Sequence, residues 1–104
     1  MNIVYISGPY TAPTESQVYD NIQFARQYAI KYWNLGYAVI CPHMNSAFMG
    51  GAASNEPWLD GDITILRRCN SFDTIVMIPG WRHSPGALKE LAVAEEIGMN
   101  VVKY

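Results

Sequence analysis

Short apolar runs alternate with longer amphipathic stretches along the whole chain. Ile3-Val4-Tyr5-Ile6 is β-branched and aromatic and is bounded by Gly8-Pro9, which predicts a buried first strand. A turn-rich stretch leads to Thr14-Glu15-Ser16-Gln17, where Thr14 and Gln17 have the spacing of a capping box. Val18, Ile22, Ala25, Ala29 and Trp33 then recur at helical intervals, and Gly36 is placed to end that helix. Tyr37 to Cys41 predicts a second strand, stopped by Pro42. A second helix is expected from about Pro57 to Asn70, with Trp58, Leu59, Ile63 and Leu66 facing inward. Asp73 to Ile78 predicts a third strand, ended by Pro79-Gly80. Ser84-Pro85-Gly86 opens a third helix, with Ser as N-cap and Pro in the first turn; Gly98 closes it, and Met99 to Val102 predicts a fourth strand.

The order β-α-β-α-β-α-β, with strands that read as buried on both faces, implies a parallel sheet with right-handed crossovers and helices on both sides. The connection from Pro42 to Glu56 is far longer than an α/β turn requires. It carries His43, Asn45, Phe48, Met49 and the pair Gly50-Gly51, and is expected to act as a lid or binding loop.

Composition narrows the function classes. The 104 residues are 50% apolar and 15% charged, enough for one core and one domain spanning 1–104. A net charge of −2 and scattered basic residues argue against a duplex nucleic-acid binder. Cys41 and Cys69 fit no metal or disulfide spacing and are expected to be reduced, as in a cytoplasmic protein. No basic leader or apolar run of membrane-spanning length is present, so neither export nor a membrane partner is expected. With 12% aromatic residues, and Tyr28, Tyr32 and Trp33 crowding the end of the first helix on more than one face, some apolar surface is expected to be left for a homodimer or larger homo-oligomer.

In an open α/β sheet the ligand site lies beyond the carboxyl ends of the strands. The segments there hold Gly8, Pro9, Tyr10, His43, Asn45, Trp81, His83, Ser84 and Gly86, with Asp62 and Glu90 just inside the following helices. Most helix acids are merely solvated, as expected of Glu95 and Glu96. Glu90, however, has Ala87 and Ala94 as stripe neighbours, which leave a groove for its carboxylate. The nearby helix N-terminus is expected to favour the ionised form that a nucleophile needs. Ser84 is most simply an N-cap, and a helix mouth also suits an anion. His43 and His83 are expected to be loop hydrogen-bonders, since neither has a partner at metal-ligand spacing. No P-loop, G-x-G-x-x-G or G-x-S-x-G occurs.

Taken together, Ile6-Ser7-Gly8-Pro9-Tyr10, Asn21, Pro42-His43, Asp62, Leu66, Cys69-Asn70 and Pro79-Gly80-Trp81-x-x-Ser84-x-Gly86-Ala87-x-x-Glu90-x-x-x-Ala94 resemble the nucleoside 2-deoxyribosyltransferase superfamily. That superfamily includes 2'-deoxynucleoside 5'-monophosphate N-glycosidases. The resemblance implies a flavodoxin-like sheet in the order 2-1-3-4 and cleavage or transfer of an N-glycosidic bond in a small-molecule nucleoside or nucleotide, without metal or organic cofactor. By position it makes Glu90 the nucleophile, Asp62 the residue that holds the sugar and assists proton movement, and Tyr10 the tyrosine orienting the nucleophile. It gives Ser84 a 5'-phosphate contact. The phosphate loop of the monophosphate hydrolases, Gly-Ser-x-x-Gly-Gly, is here Gly8-Pro9-Tyr10-Thr11. The alternative is a non-catalytic domain of the same fold that binds or senses a nucleotide.

Overall fold

The computed structural model describes residues 1–45 and 55–104. β1 (Ile3–Ser7), β2 (Ala38–Ile40), β3 (Thr74–Met77) and β4 (Asn100–Lys103) form one parallel sheet in the order β2-β1-β3-β4. Tyr5 lies opposite Ile40 on one side and Ile75 on the other, and Ile75 in turn opposes Val101. The expected α/β order, with helices on both faces, is the observed one.

Alternation along the strands decides what each face meets. Val4, Ile6, Val76 and Ile78 pack with Ala25, Ala29 and Tyr32 of α1 (Glu15–Asn34). Tyr5, Ile75 and Met77 point the other way, against Leu66 of α3 (Asn55–Leu66) and Ala87, Leu91 and Ala94 of α4 (Pro85–Glu96). Ser7, two residues beyond Tyr5 and fully buried, shares that second face. Burial on both faces holds for β1 and β3 only. β4 is an edge strand with Val102 38% exposed, so its apolar sequence does not mean a central position.

Local signals set the element ends. The Thr14 side chain accepts the Gln17 N–H at 3.2 Å, one arm of the expected box. The inner stripe of α1 is Ile22, Ala25, Ala29 and Tyr32, not Trp33, which is 55% exposed. Tyr32 turns inward because its hydroxyl finds that of Tyr104 at 2.9 Å, which removes the cost of burying the phenol. The second predicted helix begins at Asn55 and gives way after Leu66 to a turn in which Arg68 N–H bonds Ile65 O. The long connection opens with a short helix, α2 (Pro42–Asn45), that periodicity did not indicate. Phe48, Met49, Gly50 and Gly51, and with them the expected lid, lie outside the described residues. After β3, Gly80 takes a φ of +94°, and a Cβ there would sit 2.9 Å from Pro9 Cγ. That close approach seats the turn after β3 on the segment after β1. A single 3₁₀ turn, Trp81–His83, then leads into α4.

Candidate functional site

A cavity of about 580 Å³ opens beyond the carboxyl ends of β1 and β3, where the strand order reverses. Gly8, Pro9 and Tyr10 line it from the segment after β1, His43 from α2, Trp58, Leu59 and Asp62 from α3, and His83, Ser84, Gly86 and Glu90 from the 3₁₀ turn and α4. These are side chains from segments far apart in sequence, and β1 is what joins them.

Glu90 sits in the second turn of α4 and is 7% exposed. Its Oε1 accepts a hydrogen bond from Ser7 Oγ at 3.0 Å, and its Oε2 accepts one from the Tyr5 hydroxyl. Both donors come from one face of β1, and two bonds to two oxygens fix the plane of the carboxylate. Ala87 and Ala94, at 1% and 0% exposure, let α4 approach the sheet closely enough for those hydroxyls to reach. Tyr5 Oη also lies 3.4 Å from the Asp62 main-chain carbonyl, so one phenol touches both acid-bearing helices. Glu95 and Glu96 are exposed, as expected.

A profile of one family, described as DUF4406, a domain of unknown function, matches residues 2–103. The chain belongs to the DUF4406 family. No curated protein matches it. The site of this DUF4406 chain is therefore read from its own chemistry.

Burial pushes the Glu90 carboxyl up to about 7, and the nearby Asp62 adds to the rise, while the hydrogen bonds from Tyr5 and Ser7 oppose it. The helix N-terminus does not impose the ionised form. Its influence fades within the first turn, and Glu90 is in the second, where desolvation is larger. Burial raises the half-buried Asp62 to about 6. Burial and the adjacent Glu90 raise Tyr5 far above the ordinary phenol value, so it stays a neutral donor.

The residues expected from sequence divide into three groups. Gly8, Pro9, Tyr10, His43, Asp62, Ser84, Gly86 and Glu90 all line the cavity. Trp81 does not. It is buried in the core with its Nε1–H donating to the Tyr104 carbonyl at 3.0 Å, and it belongs to the support of the wall. Asn45 is exposed at the end of α2 and lies outside the described lining. The tyrosine bonded to Glu90 is Tyr5; Tyr10 instead packs edge-on against His43, ring centroids 5.8 Å apart. His43 is buried and held neutral by that burial. Its Nε2–H donates to the Pro9 carbonyl at 2.9 Å, which leaves Nδ1 unprotonated and facing Cys41 Sγ at 4.0 Å. Burial holds the Cys41 thiol at about 11, well above neutral. Ser84 caps α4, accepting the Ala87 N–H at 3.2 Å.

Sequence reasoning assigns no site role to Tyr5, inside the apolar run Ile3–Ile6, or to Ser7, directly after it. The signal was their polar atoms: a hydroxyl on a strand buried on both faces needs a partner, and two at i and i+2 need it on the same side. Among the described residues, no three His, Cys, Asp or Glu side chains gather in a metal-binding group. No helix among them is long and apolar enough to cross a membrane.

Proposed function

We propose that this protein cleaves the N-glycosidic bond of a nucleoside or nucleoside 5'-monophosphate, with Glu90 as nucleophile and Asp62 as proton donor. One observation carries the reading: a buried carboxylate at the inner end of an open cavity, both oxygens oriented by hydroxyls, with a second acid of raised pKa on the neighbouring helix. A carboxyl that lines a cavity at 7% exposure, held through both oxygens and pushed up by burial, has the features of a functional site.

In this reading a Glu90 oxygen attacks C1' of the sugar. The C1'–N bond breaks, and its electron pair leaves on the base nitrogen, which takes a proton from Asp62 directly or through water. The glycosyl ester is then opened by water, whose proton returns to Asp62, or by a second base if the reaction is transfer. Tyr5 and Ser7 stay as donors to Glu90 and move no proton. The reaction needs Glu90 ionised and Asp62 protonated, with values of about 7 and about 6. The rate is therefore bell-shaped in pH and highest between the two, and the two limbs belong to the coupled pair. Tyr10, Trp58 and Leu59 give the aromatic and apolar wall that a nucleobase fits.

The same reading includes self-association, because Tyr19, Ile30 and Trp33 leave apolar area exposed along α1 at 60%, 41% and 55%. It also includes a cytoplasmic setting, because both cysteines are free. The test of function is release of free base from a panel of nucleosides and their 5'-monophosphates, run beside a thermal-shift screen of the same compounds. Base release from at least one compound supports the reading. A compound that stabilises the fold at millimolar concentration and is never cleaved favours the sensing alternative.

A further inference from the structure

Tyr104 is anchored near the surface through its main chain, its hydroxyl and its ring. Its N–H donates to Met77 O at 2.9 Å, extending the β3–β4 pairing by one residue. Its carbonyl accepts the Trp81 indole N–H at 3.0 Å. Its hydroxyl accepts from Lys31 Nζ at 2.7 Å and shares a hydrogen bond with the Tyr32 hydroxyl at 2.9 Å. Its ring meets Tyr28 edge-on at 5.0 Å between centroids, with Lys31 Nζ 5.1 Å from its centre. Yet Tyr104 is 37% exposed and lies outside the cavity lining.

The partner that gives this anchoring a function is Trp81. The indole is buried at 6% exposure, with Arg82 Cζ 4.4 Å and Lys103 Nζ 5.5 Å from its ring centre. Trp81 O accepts the Ser84 N–H at 3.2 Å, and Ser84 in turn caps α4 and lines the cavity with His83. A continuous chain of contacts thus runs from α1 (Lys31, Tyr32), through Tyr104 and Trp81, to the wall of the cavity. A 3₁₀ turn of three residues holds few bonds of its own, so its position is set from outside.

We infer that Tyr104 is a positioning residue: its hydroxyl bonds to Lys31 and Tyr32 hold in place the main-chain carbonyl that clamps Trp81, and thereby fix the wall formed by the 3₁₀ turn and the start of α4. The inference rests on the reading of this cavity as a substrate site. Its physical core, the coupling of residue 104 to the wall, is independent of any activity.

The test compares wild type with Tyr104→Phe, which keeps the ring and both main-chain bonds but loses the two hydroxyl bonds. Lys31→Met removes one of those bonds from an exposed position and serves as the second variant. Amide hydrogen exchange is followed by mass spectrometry at peptides covering residues 81–87 and, as a control, residues 3–7. Exchange over 81–87 is expected to rise about fivefold in Tyr104→Phe and less in Lys31→Met, with 3–7 unchanged. On the best substrate, KM is expected to rise by a similar factor while kcat and the pH limbs stay put. Unchanged exchange at 81–87, or a rise shared equally by 3–7, overturns the clamp. Faster exchange at 81–87 with an unchanged KM overturns the positioning role. If the wild type releases no base, the functional reading fails, and the exchange pattern still decides whether the clamp exists.

Discussion

Glu90 carries a cost that can be measured without any substrate. Its carboxyl is held at about 7 in the folded protein against 4.5 for a free side chain. Below the unfolded value both states are protonated and the native hydrogen bonds stabilise fully. Between the two values the unfolded chain has released its proton and the native state has not, so stability falls as pH rises. The loss is about 3 kcal/mol by the time the folded carboxyl has ionised. Glu90→Gln removes that loss. The amide keeps both hydrogen bonds, because each hydroxyl can rotate to donate or accept. The variant is expected to match wild type in denaturant melts at pH 4 and to exceed it by about 1–3 kcal/mol at pH 8. Equal stability at both pH values would mean that Glu90 is not held protonated by burial. Tyr5→Phe is the complementary change: it deletes a donor that lowers the Glu90 value, so the alkaline limb of kcat/KM should move to higher pH and the rate at pH 6.5 should fall by about tenfold or more, because less of Glu90 is ionised while Asp62 is still protonated. At this scale the sequence was half legible. Glu90 and Asp62 could be singled out because acids on helices that follow strands point towards the switch point. The resemblance implies Tyr10 as the tyrosine orienting Glu90, whereas the tyrosine that bonds Glu90 is Tyr5: a strand residue buried under a helix gets closer than a loop residue on the rim.

Among the elements, α4 is where local chemistry and the site meet. Ser84 caps it with the Ala87 N–H, Pro85 sits where no N–H is needed, and Glu90 follows one and a half turns later. Ser84→Ala should lower stability by about 1 kcal/mol through the lost cap. If Ser84 also meets a 5'-phosphate, KM should rise for monophosphates and not for the matching nucleosides. A loss of stability with KM unchanged for both classes would confine Ser84 to capping. The strands could be read from apolar runs with stop signals, α1 from its helical spacing, and α4 from its Ser84-Pro85-Gly86 opening and Gly98 end. α2 and the Trp81–His83 turn could not, since neither is long enough to show a period. The inward residue at the end of α1 was decided by a hydroxyl pair with Tyr104, 72 residues away, which no local pattern encodes.

On the scale of the whole molecule, the sheet order places Tyr5 and Ser7 on the central strand pair and under α4, so the Glu90 carboxylate is positioned by the core itself and not by a loop. The exposed aromatic edge of α1 predicts a sedimentation mass of at least two chains at micromolar concentration; a single-chain mass would place that apolar surface in solvent and contradict association. The central claim, that Glu90 forms a covalent bond to sugar carbon, has one direct measurement. The protein is incubated with a 2-fluoro-substituted sugar analogue of the best substrate, digested and weighed. A fluorosugar adduct on the peptide containing Glu90 in wild type, absent in Glu90→Gln, is the expected result. Turnover without any adduct on that peptide, together with wild-type activity in Glu90→Gln, would contradict it.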